Sequence, residues 1–191
     1  MAHHTCPFWV GYLLCCPLRK FPHNPRKIFG PHVAAGMRVL DVGCAMGFFS
    51  LPLAEMVGAA GKVICVDVQA KMLGTLGRRA LKAGLAERIE PRLCGFDSLR
   101  LEDQTESIDF ALAFAVVHEV NDPGRFFTEI NRAMKPSASL LFAEPILHVS
   151  HKKFSESLNI ALQHQWRIVR PLRIPRCRAA LLSKLEGYKQ K

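Results

Sequence analysis

The sequence predicts an α/β protein with a mostly parallel sheet and helices on both faces. Short β-rich segments alternate with helical patterns along the chain, which is typical of parallel strands joined by helical crossovers. Residues 108–117, IDFALAFAVV, are almost wholly apolar and indicate a central strand buried on both faces. Two strand-like segments around Pro175 predict an antiparallel hairpin at the end of the sheet.

The first half of the chain is predicted to begin with a short helix over residues 25–35. Asn24 suits the N-cap, Pro25 suits the first helical position, and Gly36 ends the pattern. Strands and helices then alternate, with strands predicted at 39–42, 62–66 and 88–93 and helices at 48–57 and 70–83.

The second half continues the alternation after the central strand. Asp122 is a suitable N-cap for an amphipathic helix over residues 123–134. Residues 135–139 are predicted to turn the chain into a strand at 140–143. A helix at 151–166 and the hairpin strands at 167–174 and 178–185 complete the chain.

The segment VLDVGCAMGFFS, residues 39–50, predicts a strand, a glycine turn and a helix N-terminus. Gly43 and Gly47 let backbone N–H groups approach a small polar ligand at the positive end of the helix. A dinucleotide site has the spacing G-x-G-x-x-G, which is absent here. Asp41 would repel a pyrophosphate and attract a cation, so the turn suits S-adenosylmethionine better than NAD.

Asp67 ends the second predicted strand, twenty residues after Gly47. A nucleotide-binding sheet places at this position the acid that hydrogen-bonds ribose hydroxyls. An Asp at a strand end is also a common turn former, but its distance from the glycine loop favours the ribose role.

VLDVGCAMGFFS followed by VICVDVQAKML resembles motifs I and II of the class I S-adenosylmethionine-dependent methyltransferases, in particular the UbiE-like small-molecule branch. The resemblance covers roughly residues 24–184 and implies a Rossmann-like, seven-stranded, mostly parallel sheet closed by an antiparallel hairpin. The family commonly has glycine where Ala45 stands, which matters only if that position needs a positive φ. The cofactor-binding residues that the resemblance implies are Asp41, Gly43, Ala45, Gly47, Asp67, Val68, Met72, Phe96, Asp97 and Phe114.

Within that set, the resemblance gives Asp97 a hydrogen bond to the adenine amino group and Phe96 a place over the ring. A capping Asp in a turn is the alternative interpretation of Asp97. The family also usually has a Pro-Gly-Gly turn where Ser137 and Ala138 stand, a difference that concerns turn geometry more than activity.

His118 and Glu119 directly follow the central strand, at the sheet edge where open α/β sheets bind ligands. Methyl transfer depends chiefly on alignment, and a base is needed only if the acceptor must lose a proton. The ordinary pKa of histidine suits that role, so His118 and Glu119 are the predicted catalytic residues. Glu144, at the end of the next strand, is a further candidate base, and a structural or substrate-orienting role for His118 is the alternative.

The length, 191 residues, predicts a single domain over residues 24–191 preceded by an N-terminal segment, 1–23. Phe8, Trp9 and Tyr12 belong to an apolar cluster in that segment. The cluster is predicted to form a cap over the cofactor or substrate, with a peripheral membrane or partner contact as the alternative. A cap of this composition favours an apolar or aromatic small-molecule acceptor, whose identity the sequence does not give.

The cysteine pattern predicts reduced thiols and a cytoplasmic protein. Seven cysteines form neither a disulfide framework nor a C-x-x-C pair, and the His and Cys residues near the N-terminus lack zinc-ligand spacing, so no metal is predicted. The apolar N-terminal segment lacks the basic start of a signal peptide, and no stretch is long enough for a transmembrane helix.

The net charge of +10 is concentrated after Pro145, where the sequence has ten Lys or Arg residues and only two acidic residues, Glu156 and Glu186. This segment is either a solvated surface or a contact for nucleic acid, membrane or acidic substrate. RNA methylation is therefore an alternative function, although the motifs of exocyclic-amine and 5-methylcytosine enzymes are absent. A catalytically inactive cofactor-binding subunit is another, and the sequence predicts no oligomeric state.

Overall fold

The structure is a computed structural model that describes residues 7–9, 11 and 21–185. It confirms the predicted class, because the described residues form an α/β Rossmann-like fold with seven strands, mostly parallel, and a C-terminal antiparallel hairpin. The chain divides into two compact units, one up to Cys94 and one from Gly95 onward. Most of the predicted N-terminal segment lies outside the described residues.

The first unit contains a parallel three-stranded sheet in the order β3-β2-β1. Residues such as Val39, Leu40, Val63 and Ile64 have no exposed surface, as expected for strands covered on both faces. Its elements are α1 (Pro25–Phe29), β1 (Arg38–Val42), α2 (Ser50–Val57), β2 (Lys62–Asp67), α3 (Ala70–Lys82) and β3 (Ile89–Leu93).

Helix α1 begins as predicted but is shorter than predicted. The Asn24 side chain accepts a hydrogen bond from the Lys27 N–H at 3.3 Å, which confirms the N-cap. The helix ends at Phe29 rather than at residue 35. Pro31 has no N–H with which to continue the helical ladder.

The second unit contains strands in the order β4-β5-β7-β6, with β4 and β5 parallel and β7 antiparallel to both β5 and β6. The predicted hairpin is therefore confirmed. Asp122 caps α4 by accepting from the Arg125 N–H at 2.9 Å. The elements are β4 (Ile108–Phe114), α4 (Pro123–Ala133), β5 (Met134–Pro145), α5 (His151–Gln163), β6 (Trp166–Leu172) and β7 (Cys177–Lys184).

The turn predicted at residues 135–139 is wrong. These residues form an irregularity inside β5, because Ile108 pairs with Met134 and Phe110 pairs with Ser139. Lys135 Nζ binds Asp109 Oδ1 on β4 at 2.5 Å, which holds the irregular segment to its neighbour. A proline within a sheet is tolerated at such a bulge, where its missing N–H is not needed, and Pro136 is exposed there.

The helix predicted to reach Trp166 ends at Gln163, and Trp166 begins β6 instead. Trp166 is 1% exposed, and its indole N–H donates to the Phe127 carbonyl at 3.1 Å. A buried indole needs such a partner, and this contact places Trp166 in the strand rather than in α5.

Candidate functional site

The loop after β1 has three residues with positive φ: Gly43 at 72°, Ala45 at 46° and Gly47 at 81°. A Cβ on Gly47 would lie 2.3 Å from Leu76 Cδ1, so an alanine there would have to displace this buried side chain and would also hold a strained φ. Ala45 occupies the left-handed region at an energetic cost that glycine would avoid. Because Gly47 is outside the helical region, α2 starts at Ser50 rather than at residue 48.

Asp67, at the end of β2, clamps this loop. Its Oδ2 accepts from the Ala45 N–H at 2.9 Å, and its Oδ1 accepts from the Gln69 N–H at 2.8 Å. Asp67 is 8% exposed, and burial raises the pKa of its carboxyl group. Backbone hydrogen bonds from Gln69, Ala45 and Val68 act in the opposite direction.

Asp41 is held by Ser50, the first residue of α2. The Ser50 hydroxyl donates to Asp41 Oδ2 at 2.6 Å, and both residues are buried. The sequence analysis did not identify Ser50; a small hydroxyl residue at the helix start after an acidic strand was the available signal. The Met46 carbonyl accepts from the Arg79 guanidinium of α3, which ties the loop to a second helix.

The loop environment is negatively charged. Burial raises the pKa of the Cys44 thiol well above its usual value, and a hydrogen bond with Cys65 and the negative charges of Asp41 and Asp67 act in the same direction. Cys44 and Cys65 are both free thiols.

These groups fit S-adenosylmethionine. A carboxylate has about four acceptor sites, so the three backbone N–H groups on Asp67 leave capacity for a ribose hydroxyl. The carboxylates of Asp41 and Asp67 also favour a cationic ligand over a pyrophosphate. Asp41, Gly43, Ala45, Gly47 and Asp67 thus belong to one local arrangement, and their individual cofactor contacts stay predictions.

Val68 and Met72 follow Asp67 in the sequence. Val68 is the next residue, and Met72 lies in the first turn of α3. Met72 is 1% exposed, and a Cβ on Gly11 would lie 2.8 Å from its Sδ and 2.8 Å from Cε of Met46. Gly11 of the N-terminal segment therefore packs on both methionines. Val68 is half-buried, and its cofactor contact stays a prediction.

Phe96 and Asp97 lie in a turn at the start of the second unit. The Gly95 N–H donates to the Ser98 carbonyl at 2.9 Å, and both Phe96 and Asp97 are exposed. Glu129 of α4 accepts from the Leu99 N–H at 2.6 Å, which anchors the end of the turn. The contact of Phe96 and Asp97 with the adenine of the cofactor stays a prediction.

Strand β4 ends at Phe114, and the rest of the apolar segment, residues 115–117, runs into the next turn. Ala115 has a φ of 59°, and its N–H donates to the Ala143 carbonyl of β5 at 2.8 Å. This left-handed residue takes the chain out of the strand, and Val117–Glu119 form one turn of 3₁₀ helix. Phe114 is buried, and its contact with the cofactor stays a prediction.

The turn brings His118 to Glu144 at the end of β5. His118 Nδ1 lies 2.7 Å from Glu144 Oε2, and the His118 backbone N–H donates to Glu144 Oε1 at 3.2 Å. Glu144 is 1% exposed, whereas the His118 side chain is 23% exposed. The hydrogen bond between the ring and the Glu144 carboxylate raises the pKa of His118, burial opposes this increase, and the charge of Glu119 adds to it.

Glu119 is less closely engaged. Its Oε1 lies 3.9 Å from His118 Nε2, which is beyond hydrogen-bond distance. Glu144, considered above as a base, is instead the partner of His118, because β4 and β5 are parallel neighbours that end at the same edge. The catalytic roles of His118 and Glu119 stay predictions.

No group of three or more His, Cys, Asp or Glu side chains among residues 7–9, 11 and 21–185 could hold a metal ion. In the same residues, no helix is both long and apolar enough to cross a membrane.

A mostly parallel sheet, a glycine loop clamped by the acid of the next strand and polar groups at the end of β4 define a class I S-adenosylmethionine-dependent methyltransferase fold. Residues 34–173 match the family described as methyltransferase domain, so the chain belongs to that family, and its UbiE-like character is seen in its relatives. S-adenosyl-L-methionine is the cofactor that this family implies.

Two curated relatives and one solved structure illustrate the similarity. The ubiquinone biosynthesis O-methyltransferase of Bradyrhizobium diazoefficiens is 30% identical over 139 residues, 73% of this chain and 51% of that protein. The ubiquinone/menaquinone biosynthesis C-methyltransferase UbiE of Cellvibrio japonicus is 32% identical over 112 residues, 59% of this chain and 44% of that protein. This chain therefore spans about half the length of the curated relatives it matches.

The solved structure is an S-adenosylmethionine-dependent methyltransferase from Aquifex aeolicus. It has a TM-score of 0.85 and 25% sequence identity, and the match covers 95% of this chain and 100% of that chain.

Proposed function

We propose that this chain catalyses S-adenosylmethionine-dependent methyl transfer to a hydroxyl oxygen of a small apolar or aromatic molecule. The observation that carries the proposal is the Asp67 carboxylate bonded to the Ala45 N–H, in a chain of the methyltransferase domain family. The relative from Bradyrhizobium diazoefficiens is named an O-methyltransferase, and the one from Cellvibrio japonicus a C-methyltransferase. His118 suits an acceptor that must lose a proton, as a hydroxyl group does.

When bound, S-adenosylmethionine would supply the methyl group from its sulfonium and leave as the neutral thioether. Asp41 and Asp67 favour binding of the cationic cofactor, and Asp67 has acceptor capacity for ribose hydroxyls. His118 Nε2 accepts the hydroxyl proton, and Glu119 lies on the same side of the ring to stabilise the resulting imidazolium. Alignment and exclusion of water supply the rest of the rate.

An apolar acceptor is supported by the segment that follows Glu144. Ile146 is 45% exposed and Leu147 is 85% exposed, directly before His148, whose ring centroid lies 5.8 Å from that of His118. Two consecutive exposed aliphatic side chains, directly before the histidine that contacts the His118 ring, would contact an apolar molecule. We extend the proposal to residues 1–23, which would form a cap over the cofactor or substrate, since Gly11 packs on Met46 and Met72.

The alternative functions receive less support. Arg167 and Arg170 lie on β6, the last strand of its sheet. The pairing of β6 with β7 has a register shift, and β6 also contains Pro171. Charges, a bulge and proline are devices that discourage edge-to-edge pairing of strands, so a solvated surface accounts for them without RNA. The comparisons favour neither RNA methylation nor an inactive subunit.

The test begins with calorimetric titration of the full chain with S-adenosylmethionine and, separately, with NAD. Binding of the former alone supports the proposal, and absence of S-adenosylmethionine binding refutes it. Transfer of a labelled methyl group is then measured with an alkyl catechol, with product analysis to locate the methyl group on oxygen or carbon. Leu147→Ser should raise KM for the catechol, whereas Leu81→Ser, at a 73% exposed leucine of α3, should leave KM unchanged.

A further inference from the structure

Glu144 and His118 are joined at two points. Oε1 of Glu144 accepts from the His118 backbone N–H at 3.2 Å, and Oε2 lies 2.7 Å from Nδ1 of the ring. The first contact fixes the backbone of the turn and the second fixes the rotation of the imidazole. Because Glu144 is 1% exposed, solvent does not compete for its carboxylate oxygens.

The register of the sheet explains how this arrangement forms. Phe114 of β4 pairs with Ala143 of β5, and the Ala115 N–H continues the pairing to Ala143. The chain then turns at Ala115 and folds back through the 3₁₀ turn, so that His118 lies over Glu144, the next residue of β5. A buried carboxylate is costly without hydrogen-bond donors; the His118 backbone N–H is one, and the ring is a second when Nδ1 carries the proton.

We propose that Glu144 is a positioning residue that holds His118 in the tautomer with the proton on Nδ1. The lone pair on Nε2 can then take the proton from the hydroxyl group of the methyl acceptor. The reason is chemical, since an ionised carboxylate accepts hydrogen bonds and cannot donate one. This inference rests on the proposed function, because the orientation matters for a reaction only if the acceptor is a hydroxyl group.

The charges around the ring are consistent with that role. Glu144 of β5 and Glu119 of the same turn both stabilise the protonated ring, whereas Lys153 of α5 opposes it. The His148 ring contacts His118 edge-on. When the hydroxyl proton moves to Nε2, both ring nitrogens carry protons, and the bond between Nδ1 and Glu144 is kept.

The matched variants are Glu144→Gln and Glu119→Gln. In Glu144→Gln the carboxamide oxygen can keep the backbone contact, while its NH₂ group donates to Nδ1 and moves the ring proton to Nε2. Glu119→Gln removes a charge of similar sign from the same ring without touching Nδ1. Glu144→Asp keeps a carboxylate and serves as the conservative rescue.

The readout is the His118 ring in long-range proton–nitrogen spectra of the full-length, labelled protein, with the resonance assigned by its loss in His118→Gln. We expect wild type and Glu119→Gln to carry the neutral-ring proton on Nδ1, and Glu144→Gln to carry it on Nε2 with a lowered pKa. Methyl transfer to the alkyl catechol should fall about 100-fold in kcat/KM in Glu144→Gln, as for loss of a general base. Affinity for S-adenosylmethionine should not change, and Glu144→Asp should restore part of the rate.

A wild-type tautomer and pKa for His118 in folded Glu144→Gln would overturn the inference, whatever the rate of methyl transfer. If Glu144→Gln unfolds, the wild-type spectrum decides, since a neutral-ring proton on Nε2 there overturns the inference and one on Nδ1 supports it. If the tautomer follows Glu144 but His118→Gln transfers methyl groups at the wild-type rate, positioning is supported and the proposed base is refuted.

Discussion

The backbone N–H of Ala45 donates to Oδ2 of Asp67 at 2.9 Å, and this bond joins the glycine loop after β1 to the end of β2. The acid expected to bind ribose thus also holds the loop in shape. A substitution at Asp67 removes both a ligand contact and the clamp. The two effects can be separated, because one acts on affinity and the other on the free energy of unfolding.

Asp67→Asn should weaken binding of S-adenosylmethionine by about 10- to 100-fold, the usual loss when a charged hydrogen-bond partner is removed. Calorimetric titration measures the change. Asp109→Asn is the matched control, because Asp109 pairs with Lys135 at the bulge of β5. If Asp67→Asn binds as tightly as Asp109→Asn, Asp67 is not a cofactor ligand.

The affinity for S-adenosylmethionine should also depend on pH through Asp67. Burial raises the pKa of this carboxyl group, so at low pH a larger fraction is protonated than for an exposed Asp. Ribose hydroxyls donate best to the ionised form, and affinity should therefore rise as pH increases through the raised pKa. Titrations at several pH values should show this slope in wild type and its loss in Asp67→Asn; equal slopes would contradict the assignment.

The strand, glycine loop and helix around Asp41 could be predicted from the sequence, because local periodicity and spacing determine them. The partners of Asp41 and His118 could not. Ser50 reaches Asp41 through a loop whose backbone angles the sequence does not reveal, and Glu144 meets His118 only through the pairing of β4 with β5. The bulge at Lys135 was mistaken for a turn because Pro and Ser favour turns locally, whereas its contact with Asp109 depends on tertiary structure.

Ala45→Gly should stabilise the protein by about 1 kcal/mol, since the φ of 46° is costly for alanine and free of cost for glycine. Denaturant unfolding measures the change. Ala83→Gly is the control, because Ala83 ends α3 with a φ of −88°, and glycine there should be neutral or destabilising. Destabilisation by Ala45→Gly would show that the loop gains more from the alanine methyl group than it loses in conformation.

Gly47→Ala and Gly36→Ala separate space from conformation. Both glycines have a φ above 80°, but a Cβ on Gly36 meets nothing within 4 Å, whereas one on Gly47 would strike the buried Leu76. Gly36→Ala should cost about 1 kcal/mol and Gly47→Ala about 3 kcal/mol, because the second substitution adds overpacking. The unfolding free energies should differ accordingly. In a Leu76→Ala background, Gly47→Ala should cost only about 1 kcal/mol relative to Leu76→Ala alone, because the steric part is removed. Equal costs of Gly36→Ala and Gly47→Ala in the wild type would mean that Leu76 moves freely.

The rate of methyl transfer and the stability contributed by His118 should change in opposite directions over the same pH range. Glu144 raises the pKa of His118 above its ordinary value of 6.5, and only the neutral ring can accept a proton. The kcat/KM for the catechol should therefore rise with pH through a midpoint above 6.5.

A raised pKa of His118 in the folded state also means that the stability contributed by His118 is complete below its pKa in the unfolded state. This stability is lost as pH rises through the pKa in the folded state. The difference in unfolding free energy between wild type and His118→Gln should accordingly shrink over the interval in which the rate increases. A midpoint at or below 6.5, or a stability difference that does not vary with pH, would contradict the pairing of His118 with Glu144 in solution.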